Sequence, residues 1–292
     1  MSIRFGVHSL VYSDRWNGES APAICRQAAE IGYDLIEVLM FDPATLDREA
    51  TRRALTGTGL GLRLGMALGP DVDISSNDAA TARRGEETVA LALEIAAELG
   101  APAVSGITYA AFASYGAPPS ARQVEQVAAS LARLDARAGE LGVKLGVEPV
   151  NRYESYLVNT LDQAASLIRQ ASGRNMFIHM DTFHMNIEEA DMSAAIRRNA
   201  PLLGYAHVAD SHRGALGTGS FDTTRYFRAL TAADYAGDMT FEGFSSSAAG
   251  PDLVVGVRLW REAWRDSAEA ARQALAVMHA GWATARAATR AT

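Results

Sequence analysis

Ala103-Val104-Ser105-Gly106-Ile107-Thr108-Tyr109, then Ser120–Leu141, then Lys144-Leu145-Gly146-Val147-Glu148-Pro149-Val150: the fold turns on how these three segments are read. The outer two are short, apolar and β-rich. The middle one places Val127, Leu131 and Leu134 at helical spacing, a single apolar stripe on an otherwise polar helix. Gly142 stands where that helix must stop and the next strand begin. Strand, helix and strand in this order form a parallel β-α-β unit.

The unit recurs in both directions along the chain. Further strand-like runs are Arg4–Tyr12, Asp34–Met40, Gly61–Leu68, Met176–Thr182, Leu203–Asp210 and Asp238–Phe244. Ala79–Leu99 carries its own stripe of Val89, Leu93 and Ala96, and Gly32, Gly59 and Gly100 punctuate helix ends as Gly142 does. Gly237 stands in the same place before the eighth run. Eight strand–helix units in 292 residues predict an α/β fold closed as a (β/α)8 TIM barrel, for which about 250 residues is typical. An open doubly wound sheet is the competing arrangement. No Pro/Ser-rich linker or composition break divides the chain, so residues 1–292 read as one domain with a long C-terminal helical segment from about Leu253. Trp260 and Trp264 in that segment form an aromatic pair four residues apart, read either as packing against the barrel or as a subunit contact.

Composition narrows the function classes. Lys+Arg 27 against Asp+Glu 34 gives a formal charge of −7, which argues against a nucleic-acid partner. Lys144 is the only lysine, and it opens the fifth strand at the end away from a barrel's active face, so Schiff-base chemistry is not expected. The single cysteine, Cys25, excludes an internal disulfide and a cysteine-built metal site, and reads as buried in the first helix. Neither a signal-peptide pattern nor an apolar run near the ~20 residues of a membrane span is present, so a cytoplasmic protein without a membrane partner is expected.

In barrels of this class the active site lies at the C-terminal ends of the strands. Strand five ends with Glu148, strand six with Asp181, strand seven with His207 followed by Asp210, and strand eight with Glu242. Alternation can turn Glu148, Asp181, His207 and Glu242 inward together. Singly, such residues cap helices or pair with arginine; together, three carboxylates crowd one mouth and repel one another unless a cation neutralises them. Three oxygen donors and one imidazole suit Mn²⁺, Mg²⁺ or Co²⁺ better than a structural zinc. Glu154, His184 and Arg213 are candidates for substrate binding, with Arg213 facing an oxygen that becomes negative; their structural alternatives are a helix cap, a surface residue and a loop salt bridge. Gly217-Thr218-Gly219 reads as a flexible turn or, less readily, as a phosphate cradle. His8, Trp16 and Phe244 are possible pocket-lining residues, Glu37 divides evenly between pocket and structural pairing, and His179 reads as barrel interior.

Glu148-Pro149-Val150-Asn151-Arg152-Tyr153-Glu154, Asp181-Thr182-Phe183-His184-Met185-Asn186-Ile187-Glu188-Glu189, Ser211-His212-Arg213-Gly214 with Leu216-Gly217-Thr218-Gly219, and Glu242-Gly243-Phe244-Ser245-Ser246 resemble the ketose 3-epimerases of the xylose-isomerase-like barrel superfamily. These are the D-tagatose, D-allulose (psicose) and L-ribulose 3-epimerases, and the likeness spans nearly the whole chain. The resemblance implies one divalent metal, Mn²⁺ with Mg²⁺ or Co²⁺ as substitutes, held by Glu148, Asp181, His207 and Glu242. It implies that Glu148 and Glu242 double as the acid/base pair, that Glu154, His184 and Arg213 bind the sugar around O1 and O2, and that the enzyme is a homodimer or homotetramer. Asp210 stands where the family usually has glutamate, and Gly243 where serine is usual.

The expected reaction is inversion of C3 of a free ketose through a cis-enediolate, such as D-fructose/D-allulose, D-tagatose/D-sorbose or L-ribulose/L-xylulose. It needs two bases on opposite faces of the planar intermediate, and carboxylates from strands five and eight can supply them. The alternative on the same barrel is an aldose–ketose (C1–C2) or hydroxypyruvate-type isomerase. An endonuclease IV-type barrel needs more than the six histidines present, and a non-catalytic sugar-binding barrel leaves the paired glutamates without a purpose.

Overall fold

A computed structural model describes residues 3–290. The eight apolar runs become parallel strands that pair in chain order, and the eighth pairs back onto the first to close a barrel. They are β1 (Phe5–His8), β2 (Leu35–Met40), β3 (Gly61–Leu68), β4 (Ala103–Ala111), β5 (Lys144–Val147), β6 (Met176–Asp181), β7 (Leu203–Val208) and β8 (Asp238–Phe241). The helices are α1 (Ser20–Ile31), α2 (Arg48–Leu55), α3 (Ala79–Leu99), α4 (Ala121–Leu141), α5 (Leu161–Gln170), α6 (Thr182–Glu188), α7 (Met192–Asn199), α8 (Thr223–Ala232), α9 (Pro251–Gly256) and α10 (Ser267–Arg290). Most wrap the outside and bury the stripes that the sequence shows, among them Val89, Leu93 and Ala96 on α3 and Val127, Leu131 and Leu134 on α4.

Local chemistry sets the helix ends. Ser120 and Gln123 form a reciprocal capping box at the start of α4. Gly32, Gly100 and Gly142 adopt the left-handed conformation that ends α1, α3 and α4. Gly59 is also left-handed but lies beyond the end of α2, whose cap is Thr56. Gly237 does not act as such a cap: Asp234 takes the positive φ after α8, and Gly237 is instead needed where a Cβ would come within 2.5 Å of the Gly204 carbonyl oxygen.

Five strands end earlier than the apolar runs predict, β6 by one residue, β7 by two, and β1, β5 and β8 by three or more. The Arg4–Tyr12 run yields only Phe5–His8, because the His8 side chain accepts from the Leu10 amide and starts a tight turn over Ser9–Val11. β5 stops at Val147, before Pro149, which has no N–H for a ladder, and β8 stops at Phe241. The C-terminal segment is not one helix. α9 and α10 are separated by an irregular stretch that holds both tryptophans, so they share no helical face. Trp264 is only 9% exposed and packs near Phe241, whereas Trp260 is 70% exposed.

Below the site, Asp238 at the start of β8 pairs with Arg4 at 2.7 Å and with Arg63 from β3, closing the barrel floor. Lys144 is exposed at the opening of β5, and Cys25 is buried on α1 with its thiol pushed up to about 12 by burial. Among the described residues, no helix is long and apolar enough to cross a membrane.

Candidate active site

Each proposed ligand reaches the barrel mouth from a different strand end. Asp181 is the last residue of β6 and pairs in register with His207 of β7, while Glu148 and Glu242 follow β5 and β8 directly. Thr182 locks the β6–β7 edge, its hydroxyl donating to the Ala209 carbonyl and accepting from the Ala209 amide. Gly106 on the neighbouring β4 has φ +124°, and a Cβ there would lie 2.1 Å from the Met66 carbonyl oxygen, so only glycine fits where its carbonyl receives the Glu148 amide.

His207 is the hub. Its Nε2 lies 2.7 Å from Glu37 Oε2, which also accepts from the Tyr205 hydroxyl at 2.6 Å. Its Nδ1 faces Glu242 Oε1 at 3.4 Å, Glu148 Oε1 at 3.7 Å and Asp181 Oδ2 at 3.9 Å. Neither His207 Nδ1 nor Asp181 Oδ2 has a hydrogen-bond partner, although both are buried. Orphaned polar atoms facing one another at this depth are costly unless something joins them. Their donor set of carboxylates and imidazole fits a divalent cation, and Glu37 holds the ring as an outer carboxylate orients a metal-binding histidine. Potential ligand atoms lie within 4.8 Å of one another in three sets: Asp181, His207 and Glu242; Glu148, Asp181 and His184; Glu148, His179 and His207.

The charges divide unevenly. Burial works against an ionised Glu37, but the charge and hydrogen bond of His207 outweigh it and hold Glu37 at about 2. Burial, then the charges of Asp181 and Glu242, push Glu148 well above the carboxylate range against the pull of His207. For Glu242 burial again acts upward, yet Arg213 and His207 prevail and depress it. Burial lowers His207, but Glu37 and Glu242 overcome this and raise it.

Arg213 is held in a left-handed backbone conformation, φ 58°, between the rings of Phe183 and Phe244, each 4.7 Å from its guanidinium carbon. It donates to Glu242 Oε2 at 2.8 Å and to Glu154 Oε1 at 3.1 Å, and its Nη2 lies 3.4 Å from His184 Nε2. Asn151 organises the other two candidates, its amide N–H donating to His184 Nδ1 and its side chain to Glu154. Asp210 shapes the Arg213 loop by accepting from the Ser211, Gly217 and Gly219 amides. The Gly217 and Gly219 amides are thus taken by a carboxylate and the Thr218 amide by the Ala215 carbonyl, so the segment is no phosphate cradle.

A cavity of about 610 Å³ opens over this cluster, with His8, Glu37, Glu148, Glu154, His179, His184, His207, Arg213, Glu242 and Phe244 in its walls. Leu10, Leu39, Met66, Leu68, Phe112, Leu253 and Val257 supply the apolar part of its lining. Trp16 does not line it: the indole N–H donates to Thr51 Oγ1 at 2.9 Å, away from the mouth. Glu37 does both, pairing with His207 and forming part of the cavity wall. Sequence reasoning missed Asn151 and Phe183 as site residues. Asn151 sits inside the motif that carries Glu154, whereas nothing local marks Phe183 as a partner of an arginine thirty residues away.

Fold and cluster together define a sugar-isomerase-type barrel built around a carboxylate–imidazole metal site. The family described as xylose isomerase-like TIM barrel matches residues 25–278. An L-ribulose 3-epimerase of Mesorhizobium japonicum is 40% identical, covering 97% of this chain and 95% of its own, and a ketose 3-epimerase of Arthrobacter globiformis is 38% identical, covering 91% and 92%. The structure of a D-allulose 3-epimerase from Methylomonas sp. in complex with D-allulose superimposes with a TM-score of 0.92 at 34% identity, covering 95% of this chain and 96% of that one. The chain belongs to the ketose 3-epimerase family, whose members are isomerases.

Proposed function

We propose that this ketose 3-epimerase inverts C3 of free ketoses of the L-ribulose and D-allulose type by removing the C3 proton and returning one to the opposite face. The observation that carries the reading is the convergence of Glu148, Asp181, His207 and Glu242 on the two orphaned atoms, His207 Nδ1 and Asp181 Oδ2. These four residues would hold one divalent cation, with Mn²⁺ preferred and Mg²⁺ or Co²⁺ as substitutes. Such a cation supplies Lewis-acid polarisation of the ketose carbonyl. Glu148 and Glu242, from strands on different sides of the mouth, act as the acid/base pair. Their environments push them in opposite directions, which suits one to hold a proton while the other accepts one. Arg213, His184 and Glu154 bind and orient the C1–C2 end, and Arg213 stabilises the negative charge that develops on the enediolate.

Among the described residues that line the cavity, Arg213 is the only permanent cation, and Asp14 and Asp252 also border it. This favours uncharged ketoses over their phosphates. The acidic composition and single buried cysteine support a cytoplasmic enzyme, and the exposed Trp260 and Val255 support assembly into a homodimer or homotetramer.

The test is incubation of the Mn²⁺-loaded protein with D-fructose in D₂O. Deuterium at C3 with formation of D-allulose is expected, and Glu242→Gln should abolish both while the protein stays folded. Label at C1 with an aldose product would overturn the reading.

A further inference from the structure

His179 is fully buried, lines the cavity, and has no hydrogen-bond partner at either ring nitrogen. An imidazole that serves only to fill the barrel would be better replaced by an apolar side chain of similar size, because a buried polar group without a partner is destabilising. Its position is specified by the sheet. The β6–β7 register shifts between Ile178 and His179, so that His179 pairs with Tyr205 and Gly204 is passed over. Irregularities of this kind re-aim side chains beside active sites. The ring stands edge-on to His207, with centroids 4.1 Å apart, and its Nδ1 lies 3.7 Å from Glu148 Oε2. The other oxygen of the same carboxylate, Oε1, faces His207 Nδ1. The two oxygens of Glu148 therefore look toward two different imidazoles.

We propose that His179 is a positioning residue for Glu148: its Nδ1–H holds Oε2, which divides the carboxylate into one oxygen for the ligand cluster and one kept in a fixed direction for proton transfer. The inference rests on the reading of Glu148 as an acid/base residue. A carboxyl group keeps an acceptor oxygen in either protonation state, and a neutral imidazole has one N–H to give. Closing the 3.7 Å contact to hydrogen-bonding range requires a movement of about 0.5 Å, within reach of one glutamate torsion. Ligation by His179 itself is the competing role, since Glu148, His179 and His207 also form a compact set. The two roles separate experimentally.

The experiment compares His179→Leu with His179→Asn, whose amide N–H can occupy the place of Nδ1–H. For each, kcat and KM for D-fructose are measured on Mn²⁺-loaded protein, Mn²⁺ affinity on metal-free protein by calorimetry, and folding by circular dichroism. His179→Leu should lower kcat about ten- to a hundredfold, the range seen when a group that orients a reactive side chain is removed. KM should stay within about twofold of the parent, and Mn²⁺ affinity should fall by much less than kcat, because Oε1 keeps its place in the ligand cluster. His179→Asn should recover most of the loss. Unchanged kcat in His179→Leu, or no recovery in a folded His179→Asn, overturns the proposal. A parallel loss of Mn²⁺ affinity and kcat in His179→Leu overturns it in favour of ligation. If His179→Leu does not fold, kcat of His179→Asn decides alone: near-parental supports the proposal and a hundredfold loss overturns it. Glu148→Gln distinguishes the underlying reading. Retained turnover there removes Glu148 from proton transfer whatever His179 does, whereas an inert Glu148→Gln beside an unaffected His179→Leu overturns the present inference only.

Discussion

Glu37→Gln tests whether the metal site depends on a charge one layer below it. Glu37 Oε2 accepts from both His207 Nε2 and the Tyr205 hydroxyl, at 2.7 and 2.6 Å. A glutamine carbonyl oxygen has two lone pairs and can receive both donors, so the ring stays where it is. Only the negative charge is lost. Glu37→Ala would confound this by leaving the buried His207 N–H without an acceptor, at a cost of about 1–3 kcal/mol. Removing a carboxylate that orients a ligating histidine weakens metal binding by about 10–100-fold, or roughly 1.4–2.7 kcal/mol. The consequence for stability follows by mass action. At free Mn²⁺ about a hundred times the parental Kd, binding stabilises the parent by about 2.7 kcal/mol; a variant that binds tenfold more weakly retains about 1.4 kcal/mol. The Mn²⁺-induced rise in Tm should then be smaller by roughly 2–4 °C, taken as the difference between Tm with and without metal, since Tm without metal also falls when the pairing that holds Glu37 at about 2 is lost. Titration calorimetry and scanning calorimetry with and without Mn²⁺ measure both quantities. If Glu37→Gln binds Mn²⁺ as tightly as the parent, the charge of Glu37 is not felt at His207 Nδ1 and the reasoning is wrong.

Two further outcomes follow from ion pairs and packing. Burial acts upward on the Asp238 carboxyl, but Arg4 and Arg63 more than offset it and hold it below its ordinary value. A depressed folded-state pKa gives stability that is present above the unfolded value of about 3.9 and is lost as pH falls through the folded one. Asp238→Asn should thus cost about 1–3 kcal/mol at pH 7, with the gap to the parent narrowing below about pH 4 in urea melts; a gap independent of pH would refute this. Phe183→Leu removes one ring from the Arg213 sandwich, worth about 0.5–2 kcal/mol, so kcat/KM should fall about threefold to thirtyfold and Phe183→Tyr should restore it.

What the sequence made legible follows from how barrel strands are buried. A strand covered on both faces is a nearly continuous apolar run, so all eight were visible, and left-handed glycines at 32, 100 and 142 marked where helices hand over to strands. Strand ends were less legible at the top of the barrel, because the apolar pattern runs on through residues that have already left the ladder. The first run is an example: it continues through Ser9–Val11, where the His8 side chain has already capped a turn. Glu148, Asp181, His207 and Glu242 stood out because each lies at the end of its own run. Glu37 and His179 did not. Glu37 meets His207 from a strand that is not its neighbour, and His179 is placed by an irregular register in β6–β7, neither of which a single segment announces. Phe183 was hidden for a similar reason, since its partner Arg213 reaches it through a left-handed turn set by the Asp210 loop.

The distribution of charge explains why a cation belongs at one particular edge of this cluster. Five carboxylates are buried around the mouth: Glu37, Glu148, Glu154, Asp181 and Glu242. Arg213 donates to Glu154 and Glu242, and His207 Nε2 serves Glu37; despite burial, these three are held below the usual range by those partners. Among the described residues, the Glu148 carboxylate receives no hydrogen bond and that of Asp181 only the one from the Phe183 amide, and both are pushed upward, burial acting first. They are also the two whose oxygens face the unbonded His207 Nδ1 alongside Glu242. Ionising both without compensation would set like charges together in a low-dielectric site. A divalent cation between them would supply the two missing positive charges, with Arg213 committed to Glu242 and Glu154. Arginine and metal would thus neutralise different parts of the same acidic cluster, so the loss of either one should not be repaired by the other.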